Sequence, residues 1–591
     1  MSIDFFPICR DDLIKRGWRE LDIVLITGDA YVDHSSYGVA VIGRVLENAG
    51  FRIGIIAQPN WRNTKDFTQL GKPKLFFGIT AGNVDSLVAN YTANKKPRKV
   101  DDYSPLGKTG MRPDRATIVY ANKVREAFPD TPIVLGGIEA SLRRLAHYDY
   151  WDNCVRRSIL VDAKANILVY GMGEAQILEI ARRLESGEKI QALNNTRGAV
   201  VIRKEVSWLK NCLIIPSFEE VSADKNKFNE AFRIIYSQTN PLKAKPIAQK
   251  HGDRFVVQFA PALPLATEEL DRIYELPYMR NYHPSYNRLG PVKSFETVKF
   301  SLISHRGCCG DCSFCSLSLH QGRIIQSRST ESIVGEAKLI SELKGFRGTI
   351  TDIGGPTANL YKTNCFLWRQ QGFCADKNCL TPSKCKNLKL GYEETIALYR
   401  KIRQLPKVKH VFIGSGFRYD LLTEDFAREY LYELCKFHIS GQMKVAPEHM
   451  TDNVLKLMNK PLFSYYEKFV RKFNQVNEQL KKKQYLVNYF ISAHPGSTLQ
   501  DALELALYMV KKHKHPEQVQ DFIPLPMTLA GCIYYTETNP FTGDKVYVPK
   551  TFRERKMQRA LIQYKNPKNR QLVREVLRIL KAEHLSKVFI K

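Results

Sequence analysis

The hydrophobic pattern divides the chain into two long regions in which short apolar runs alternate with amphipathic segments. The first begins with Asp22-Ile23-Val24-Leu25-Ile26-Thr27, an unbroken apolar run such as a parallel strand buried on both faces shows. Gly28-Asp29-Ala30 breaks it. Val39, Ile42, Val45, Leu46 and Ala49 then recur at helical spacing, and Gly50 closes that helix. The same reasoning predicts strands at 51–57 (ended by Pro59), 74–79, 132–135 and 166–170, with a helix over 116–128. This alternation predicts an α/β domain with a doubly wound parallel sheet. Ligands in such sheets bind beyond the carboxyl ends of the strands, where Asp29, Asp33, His34, Gly136, Gly137, Gly171 and Gly173 fall. Residues 175–290 carry weaker signals, with strand-like runs at 213–215 and 255–259, and read as a continuation of this domain plus a connector.

From residue 297 the pattern becomes six strand–helix units. Strands are expected at 297–303, 348–353, 410–414, 442–446, 485–492 and 519–523, and helices at 329–343, 393–405, 423–436, 451–457 and 498–510. Six such units predict a partial (β/α)6 barrel with its active site at the carboxyl face of the strands. The domains expected are therefore 1–290, a barrel over 291–525 with a cysteine-rich insertion at 355–390, and an extension over 526–591.

The loop after the first barrel strand reads Arg306-Gly307-Cys308-Cys309-Gly310-Asp311-Cys312-Ser313-Phe314-Cys315. Cys308, Cys312 and Cys315 form a C-x3-C-x2-C run. Three thiolates from one loop can hold three irons of a cubane cluster and leave the fourth without a protein ligand. An open coordination position of that kind is where a substrate or cofactor binds in catalytic metal sites. A structural zinc loop or reduced thiols are the plainer alternatives.

At these residues the chain resembles the radical S-adenosylmethionine (SAM) superfamily. The resemblance implies a [4Fe-4S] cluster whose fourth iron is chelated by the amino and carboxylate groups of SAM. One-electron cleavage of SAM would then give a 5′-deoxyadenosyl radical. Phe314 resembles the adenine-packing position. Gly354 and Gly355 resemble a GGE segment that contacts the methionyl amino group, but Pro356 stands in place of Glu, so only backbone contacts carry over. Ser415 and Arg418 end the third strand, where a hydroxyl and a guanidinium could bind the ribose and the SAM carboxylate. An Arg418–Asp420 structural pair is the alternative. Glu448 lies in Lys444-Val445-Ala446-Pro447-Glu448-His449, which resembles the adenine-contacting segment by position. Asn488 and His494, at the end of the fifth strand, could face the same pocket. No catalytic residue is assigned.

The N-terminal region resembles the cobalamin-binding domain that precedes many radical SAM barrels, and the Gly136-Gly137 pair matches its late double glycine. The cobalamin loop is D-x-H-x-x-G, whereas this chain reads Asp33-His34-Ser35-Ser36-Tyr37-Gly38, with His one residue early. The resemblance thus predicts a degenerate domain that no longer binds cobalamin. His34 is then a loop or capping histidine beside a helix starting at Ser35.

Eight of the 13 cysteines lie between Cys308 and Cys385. This crowding suits metal ligation better than a disulfide framework. Cys365, Cys374, Cys379 and Cys385 form C-x8-C-x4-C-x5-C in the long insertion. A loop this long needs something to order it. Tetrahedral zinc or an auxiliary iron–sulfur cluster would serve, and reduced unligated thiols are the alternative.

The net charge is +29, and residues 551–591 hold twelve Lys or Arg against three Glu. Basic runs also occur at 95–99, 481–483 and 511–515. Charge of this size attracts polyanions, so RNA is an expected partner class beside a solvated basic surface. Met1-Ser2-Ile3-Asp4-Phe5-Phe6 lacks a basic segment followed by an apolar run, and no apolar stretch is long enough to cross a bilayer. A cytoplasmic protein without a membrane partner is expected.

Over most of its length the chain resembles the YgiQ family of radical SAM proteins, through Arg306-Gly307-Cys308, His320-Gln321-Gly322-Arg323, Arg328-Ser329-Thr330-Glu331-Ser332-Ile333 and Asp521-Phe522-Ile523-Pro524-Leu525-Pro526-Met527-Thr528. The resemblance implies reductive SAM cleavage acting on an unknown substrate, with a flavodoxin or ferredoxin type electron donor. Two alternatives stay open: an RNA-modifying, methylthiotransferase-like enzyme, and a non-catalytic iron–sulfur or zinc protein that binds nucleic acid.

Overall fold

A computed structural model describes residues 4–514, 516 and 519–589. The start of the N-terminal segment (Met1 to Ile3), His515 of the basic run and the end of the tail (Ile590, Lys591) lie outside the described residues. The chain forms two units. One is Met1–Lys299 with Leu319–Gly322 and Gln370–Phe373; the other is Phe300–Ser318, Arg323–Arg369 and Cys374–Lys591.

The first unit is built on a nine-stranded sheet. Ile53–Ala57, Ile23–Thr27, Phe76–Thr80, Ile133–Leu135 and Ile167–Val169 lie side by side and all parallel, as the apolar runs predict. Ile23, Val24 and Ile26 are fully buried, so both faces of the central strand are covered. Helix Gly38–Asn48 follows the first strand and ends before Gly50, whose φ of +98° a residue with a Cβ would resist. The helix starts at Gly38 with Tyr37 as its N-cap, three residues later than expected, because Ser35 and Ser36 are taken up in the turn after His34.

Beyond Ile167–Val169 the sheet departs from doubly wound order. Ala199–Arg203 pairs antiparallel with both of its neighbours. Ile247–His251 and Arg254–Gln258 form a hairpin around Gly252, and Leu213–Ile215 closes the edge. The region read as a continuation of the domain plus a connector thus supplies four strands, two of them where strand-like runs were expected. They are three to five residues long and carry exposed polar positions, so their period is weak against the surrounding sequence.

In the second unit, Ser301–Ile303 pairs with Asp352–Gly354 and Thr349–Ile350 with His410–Val411. Phe417 bridges to Val445, and Gln442–Glu448, Tyr485–Ser492 and Val519–Asp521 follow in turn. Every one of these pairings is parallel, and the strands run in chain order. Helices Thr330–Ser341, Tyr392–Arg403, Phe463–Gln479 and Leu499–Lys511 lie between them. This is the partial (β/α)6 barrel. Residues 293–298 form a helix instead of opening the first strand. The helix expected at 423–436 breaks into a 3-10 turn, the short helix Arg428–Glu433 and a π turn over Leu434–His438. Helix Phe463–Gln479 was not anticipated, although Phe463, Tyr466, Phe469, Phe473 and Val476 recur at helical spacing and are buried.

Arg328 locks the first strand to the first helix. Its side chain is fully buried and donates to Ile303 O at 3.0 Å, to Ser332 Oγ at 2.8 Å and to the Glu336 carboxylate. The C-terminal residues are integral to this unit. Met557, Leu561, Val576 and Leu577 share one core with Phe490, Leu503, Leu505 and Met509. Part of the basic charge there is spent internally: Arg555 is buried against Phe522 O, Arg559 pairs with Asp521 at 3.0 Å and Arg553 with Glu575 at 2.6 Å. Among the described residues no helix is long and apolar enough to cross a membrane.

Candidate functional site

The cysteine loop leaves the barrel where His305–Arg306 pairs with Gln326–Ser327, and a set of backbone bonds fixes its path. Ser313 N–H donates to Met458 O at 3.0 Å and Ala530 N–H to Ser313 O at 2.9 Å. Asn459 Nδ2 donates to Asp311 O at 2.8 Å, and Arg323 pairs with the buried Asp311 at 3.3 Å. Cys308, Cys312 and Cys315 are free thiols. Burial raises the Cys308 thiol, and the neighbouring Cys312 raises it further. Burial pushes Cys315 up to about 12, helped by Cys312, Cys308 and Glu448. The three sulfurs and one carboxylate therefore lie within electrostatic reach of one another. A bound cation reverses that penalty and holds such thiols deprotonated.

Arg418 is the cation the fold provides beside this loop. Asn359 fixes its backbone from both sides, accepting from Arg418 N–H at 2.9 Å and donating to Arg418 O at 3.0 Å. The guanidinium grips Asp420 through Nε at 3.1 Å and Nη2 at 2.8 Å, and Nη1 points to Cys312 Sγ at 3.8 Å. The Asp420 pair is thus formed, and the remaining edge of the fork faces the cysteine loop. Gly310 makes room for this approach, since a Cβ there would stand 2.6 Å from Arg418 Nη1. Gly310→Ala is expected to cost about 1–3 kcal/mol of local overpacking and to displace Arg418. Reconstituted protein should then carry less iron than wild type at unchanged far-UV circular dichroism.

Ser415 is held by Asp352, which accepts from Ser415 Oγ, from Ser415 N–H at 3.0 Å and from Gly414 N–H at 2.9 Å. Burial raises Asp352 above the usual carboxylate range in spite of these donors. Gly354 and Gly355 lie against side chains: a Cβ on Gly354 would be 2.6 Å from Ser415 Oγ, and one on Gly355 2.6 Å from His305 Nε2. The paired glycines therefore have a packing reason beside any contact to a ligand. Glu448 ends its strand after a register shift, in a left-handed conformation (φ +65°) that strains a residue with a Cβ. Burial raises its carboxyl, opposed by Lys460 and Arg418. The Phe314 ring meets His494 edge-on at 5.9 Å. Asn488 accepts from the Tyr466 hydroxyl at 2.9 Å, which gives it a packing role.

His305, His449 and His494 are buried around this end of the barrel and were not singled out as a group from sequence. Burial lowers His305 and His449 to about 4 and His494 to about 3. An unfolded histidine titrates near 6.5, so folding selects the neutral form. The stability they contribute is present above about pH 6.5 and is lost as pH falls through their folded values, each proton adding a slope of about 1.4 kcal/mol per pH unit. The urea midpoint should fall between pH 6.5 and 4, and His494→Gln should flatten that fall by about one proton. Asp352 and Glu448, raised by burial, act with the opposite sign in both proteins.

In the insertion, Cys374 lies within electrostatic reach of the other three cysteines. The Cys374 thiol is raised by burial and then by Cys379, Asp376, Cys365 and Cys385. Cys379 shares a hydrogen bond with Cys309, which together with Arg323 and Trp368 holds it down to about 7 against burial. Cys309, adjacent to Cys308, is a partner that sequence reasoning passed over. The only hint was its place in the Cys-Cys pair.

In the first unit, the carboxyl ends of the strands are covered by the chain itself. Arg112 is fully buried, donates to Ala81 O at 2.9 Å and pairs with Asp29 at 3.0 Å and Asp101 at 3.2 Å. Gln58 Nε2 donates to Gly28 O at 3.1 Å and Ser104 Oγ at 2.7 Å, and Ala30 N–H donates to Tyr103 O at 2.9 Å. Burial raises Asp29 to about 6. Asp33 pairs with Arg44, and His34 Nδ1 accepts from Ser36 N–H at 3.1 Å.

Family models match almost the whole chain. One described as Radical SAM N-terminal matches residues 5–301, one for the Radical SAM superfamily residues 302–509, and a domain of unknown function, DUF3362, residues 517–585. A UPF0313 protein of Clostridium botulinum (strain ATCC 19397 / Type A) is 53% identical over 576 residues, covering 98% of this chain and 89% of that protein. A UPF0313 protein of Methanocella arvoryzae is 52% identical, with 96% of this chain and 94% of that protein covered. Among solved structures, the radical S-adenosylmethionine methyltransferase TsrM from Kitasatospora setae aligns with a TM-score of 0.48 at 14% identity, over 86% of this chain and 75% of that one. The cobalamin-dependent S-adenosylmethionine radical enzyme OxsB aligns with a TM-score of 0.47 at 9% identity, over 97% and 63%.

Proposed function

The chain belongs to the UPF0313 (YgiQ) family of radical SAM proteins, and from that premise we propose that Cys308, Cys312 and Cys315 hold a [4Fe-4S] cluster at which SAM is reductively cleaved. It is a radical SAM enzyme of unassigned reaction. The observation that carries the reading is that three free thiols sit on one loop pinned through the Ser313 backbone, with Arg418 Nη1 aimed at Cys312 Sγ. Among the described residues no three His, Cys, Asp or Glu side chains are placed to chelate one ion.

When bound, the cluster and SAM supply an electron and a sulfonium whose cleavage gives a 5′-deoxyadenosyl radical. The residues of the chain supply the setting. Arg418 would place a hydrogen bond and a positive charge at the sulfur of Cys312, one of the residues that would hold the cluster, and both are among the features that set the potential of such centres. Phe314 offers a face for the adenine, and Gly354 and Gly355 offer backbone. Glu448 supplies an acidic group within electrostatic reach of Cys315. His494 supports Phe314 from behind through ring contact, with Nδ1–H donating to Pro495 O at 2.8 Å. In the first unit, the chain around Asp101–Arg112 packs over the ends of Ile23–Thr27, Ile53–Ala57 and Phe76–Thr80, which supports a domain that works without cobalamin.

The test is anaerobic reconstitution, reduction with dithionite and addition of SAM, with 5′-deoxyadenosine measured by mass spectrometry. Release of 5′-deoxyadenosine by protein free of cobalamin is expected. Failure to bind SAM would overturn the reading in favour of a non-catalytic protein. Tight tRNA binding with a steep salt dependence would direct the substrate search to RNA. We propose a flavodoxin or ferredoxin type protein as the electron donor.

A further inference from the structure

Helix Arg570–Ile579 has two faces of opposite character. Val573, Val576 and Leu577 are buried in the core they share with Met557 and Leu561. On the other side, Arg570, Arg574 and Arg578 recur at every fourth residue, and all three are exposed. Residues four apart share one side of a helix and stand about 6 Å apart along its axis. The three guanidiniums therefore form a row. Lys565 and Lys568 stand before the helix and Lys581 after it, all exposed.

Little of this charge is spent on the fold. Between residues 565 and 581 six Lys and Arg stand against a single acidic residue, Glu575. Its carboxylate is taken by Arg553 of helix Phe552–Ile562, through Nε at 2.9 Å and Nη2 at 2.6 Å. Arg574 and Arg578 pair with no carboxylate among the described residues. The arrangement also works against the helix that carries it. Like charges four residues apart repel. Arg570 stands in a first turn that has no acidic residue, where the helix dipole disfavours a cation. Such a row, with Arg574 and Arg578 left for solvent, is suited to negative charge from outside the chain.

The fold narrows the source of that charge. A helix that lies on a membrane sinks its apolar face into the lipid. Here that face is already committed to the core, so only the charged side is on offer. A sugar–phosphate backbone presents single charges in succession and needs no apolar partner. We propose that the Arg570, Arg574 and Arg578 face of this helix binds the phosphate backbone of a nucleic acid. The contacts go to phosphate, so they hold a strand in place without reading its sequence. RNA and DNA share this chemistry. The proposal does not rest on the iron–sulfur cluster.

The experiment is fluorescence anisotropy of a labelled tRNA, and of a labelled DNA duplex of similar length, titrated with the reconstituted full chain over a series of KCl concentrations. Wild type should bind at least one of them, with the logarithm of the binding constant falling linearly against that of the salt concentration. The tighter of the two names the source of the phosphates. Arg574→Gln/Arg578→Gln removes two phosphate contacts and should make that slope shallower by about two, at unchanged far-UV circular dichroism. Arg574→Lys/Arg578→Lys keeps both charges and should keep the slope. Lys96→Gln/Lys99→Gln removes the same net charge from exposed positions in the basic run at 95–99 and should leave the slope as it is. Equal flattening by that control would overturn the proposal, because binding would then follow net charge alone. It would also be overturned by an unchanged slope in Arg574→Gln/Arg578→Gln, by failure to bind either nucleic acid, by poly-glutamate competing as well as the nucleic acid does, or by tighter binding to anionic phospholipid vesicles.

Discussion

Replacing Cys312 by alanine is expected to strip the primary cluster and reduce 5′-deoxyadenosine release below detection. Two thiolates on a short loop cannot fix three irons of a cubane, and a site with two unligated corners loses the distinction that directs SAM to one of them. The neighbouring Cys309 is no substitute. Its thiol is buried and engaged with Cys379. Arg418 would also lose its sulfur acceptor, leaving Nη1 of a buried guanidinium without that partner. Cys435→Ser, at a buried cysteine remote in sequence from both sets, is the control that should keep full activity. Product formation by Cys312→Ala at even one-tenth of the wild-type rate would contradict the assignment.

The largest effect on stability is expected at Arg328. Its side chain has no exposure, and it holds the carbonyl that ends the first barrel strand, a helix hydroxyl and the carboxylate of Glu336, itself only 4% exposed. Arg328→Met leaves that carboxylate buried without its cation, at a cost of about 3–5 kcal/mol. The strand it frees leads directly into the cysteine loop, so iron incorporation should fall with stability. The double variant Arg328→Met/Glu336→Leu removes both charges and should recover most of the loss, because an apolar pair of similar volume is often as stable as a buried ion pair. Urea unfolding followed by tryptophan fluorescence under anaerobic conditions measures both. A double variant no more stable than the single one would show that the hydrogen bond to Ile303 O, and not the ion pair, carries the effect.

Much of this was legible in the sequence because burial on both faces writes continuous apolar runs. The five parallel strands of the first unit and the strands of the barrel announced themselves that way, and C-x3-C-x2-C follows the first barrel strand as a carboxyl-face loop should. What escaped detection has physical reasons. Of the four added strands of the first sheet, those at 213–215 and 255–259 were expected; Ala199–Arg203 and Ile247–His251 were not, because they are short and tertiary contact sets their antiparallel partners. Helix Phe463–Gln479 was overlooked because its apolar face is mostly aromatic and its remaining positions are mostly polar or charged. The C-terminal segment read as a basic extension because net charge counts Arg555 and Arg559 without knowing that one is buried and the other paired. At the site, the sequence could offer Ser415 and Arg418 as ligand contacts. The Arg418–Asp420 pair, the alternative offered from sequence, is formed; only the fold shows that Asp352 holds Ser415 and that Asn359 fixes the Arg418 backbone.

The most direct test of the central claim is the electron paramagnetic resonance spectrum of the reduced primary cluster, recorded in Cys374→Ser/Cys385→Ser protein with and without SAM. A signal of a reduced [4Fe-4S] centre whose g-values move on adding SAM is the predicted result, since only an iron without a protein ligand can be reached. A spectrum identical in the two samples would mean that every iron is already claimed, and would contradict it.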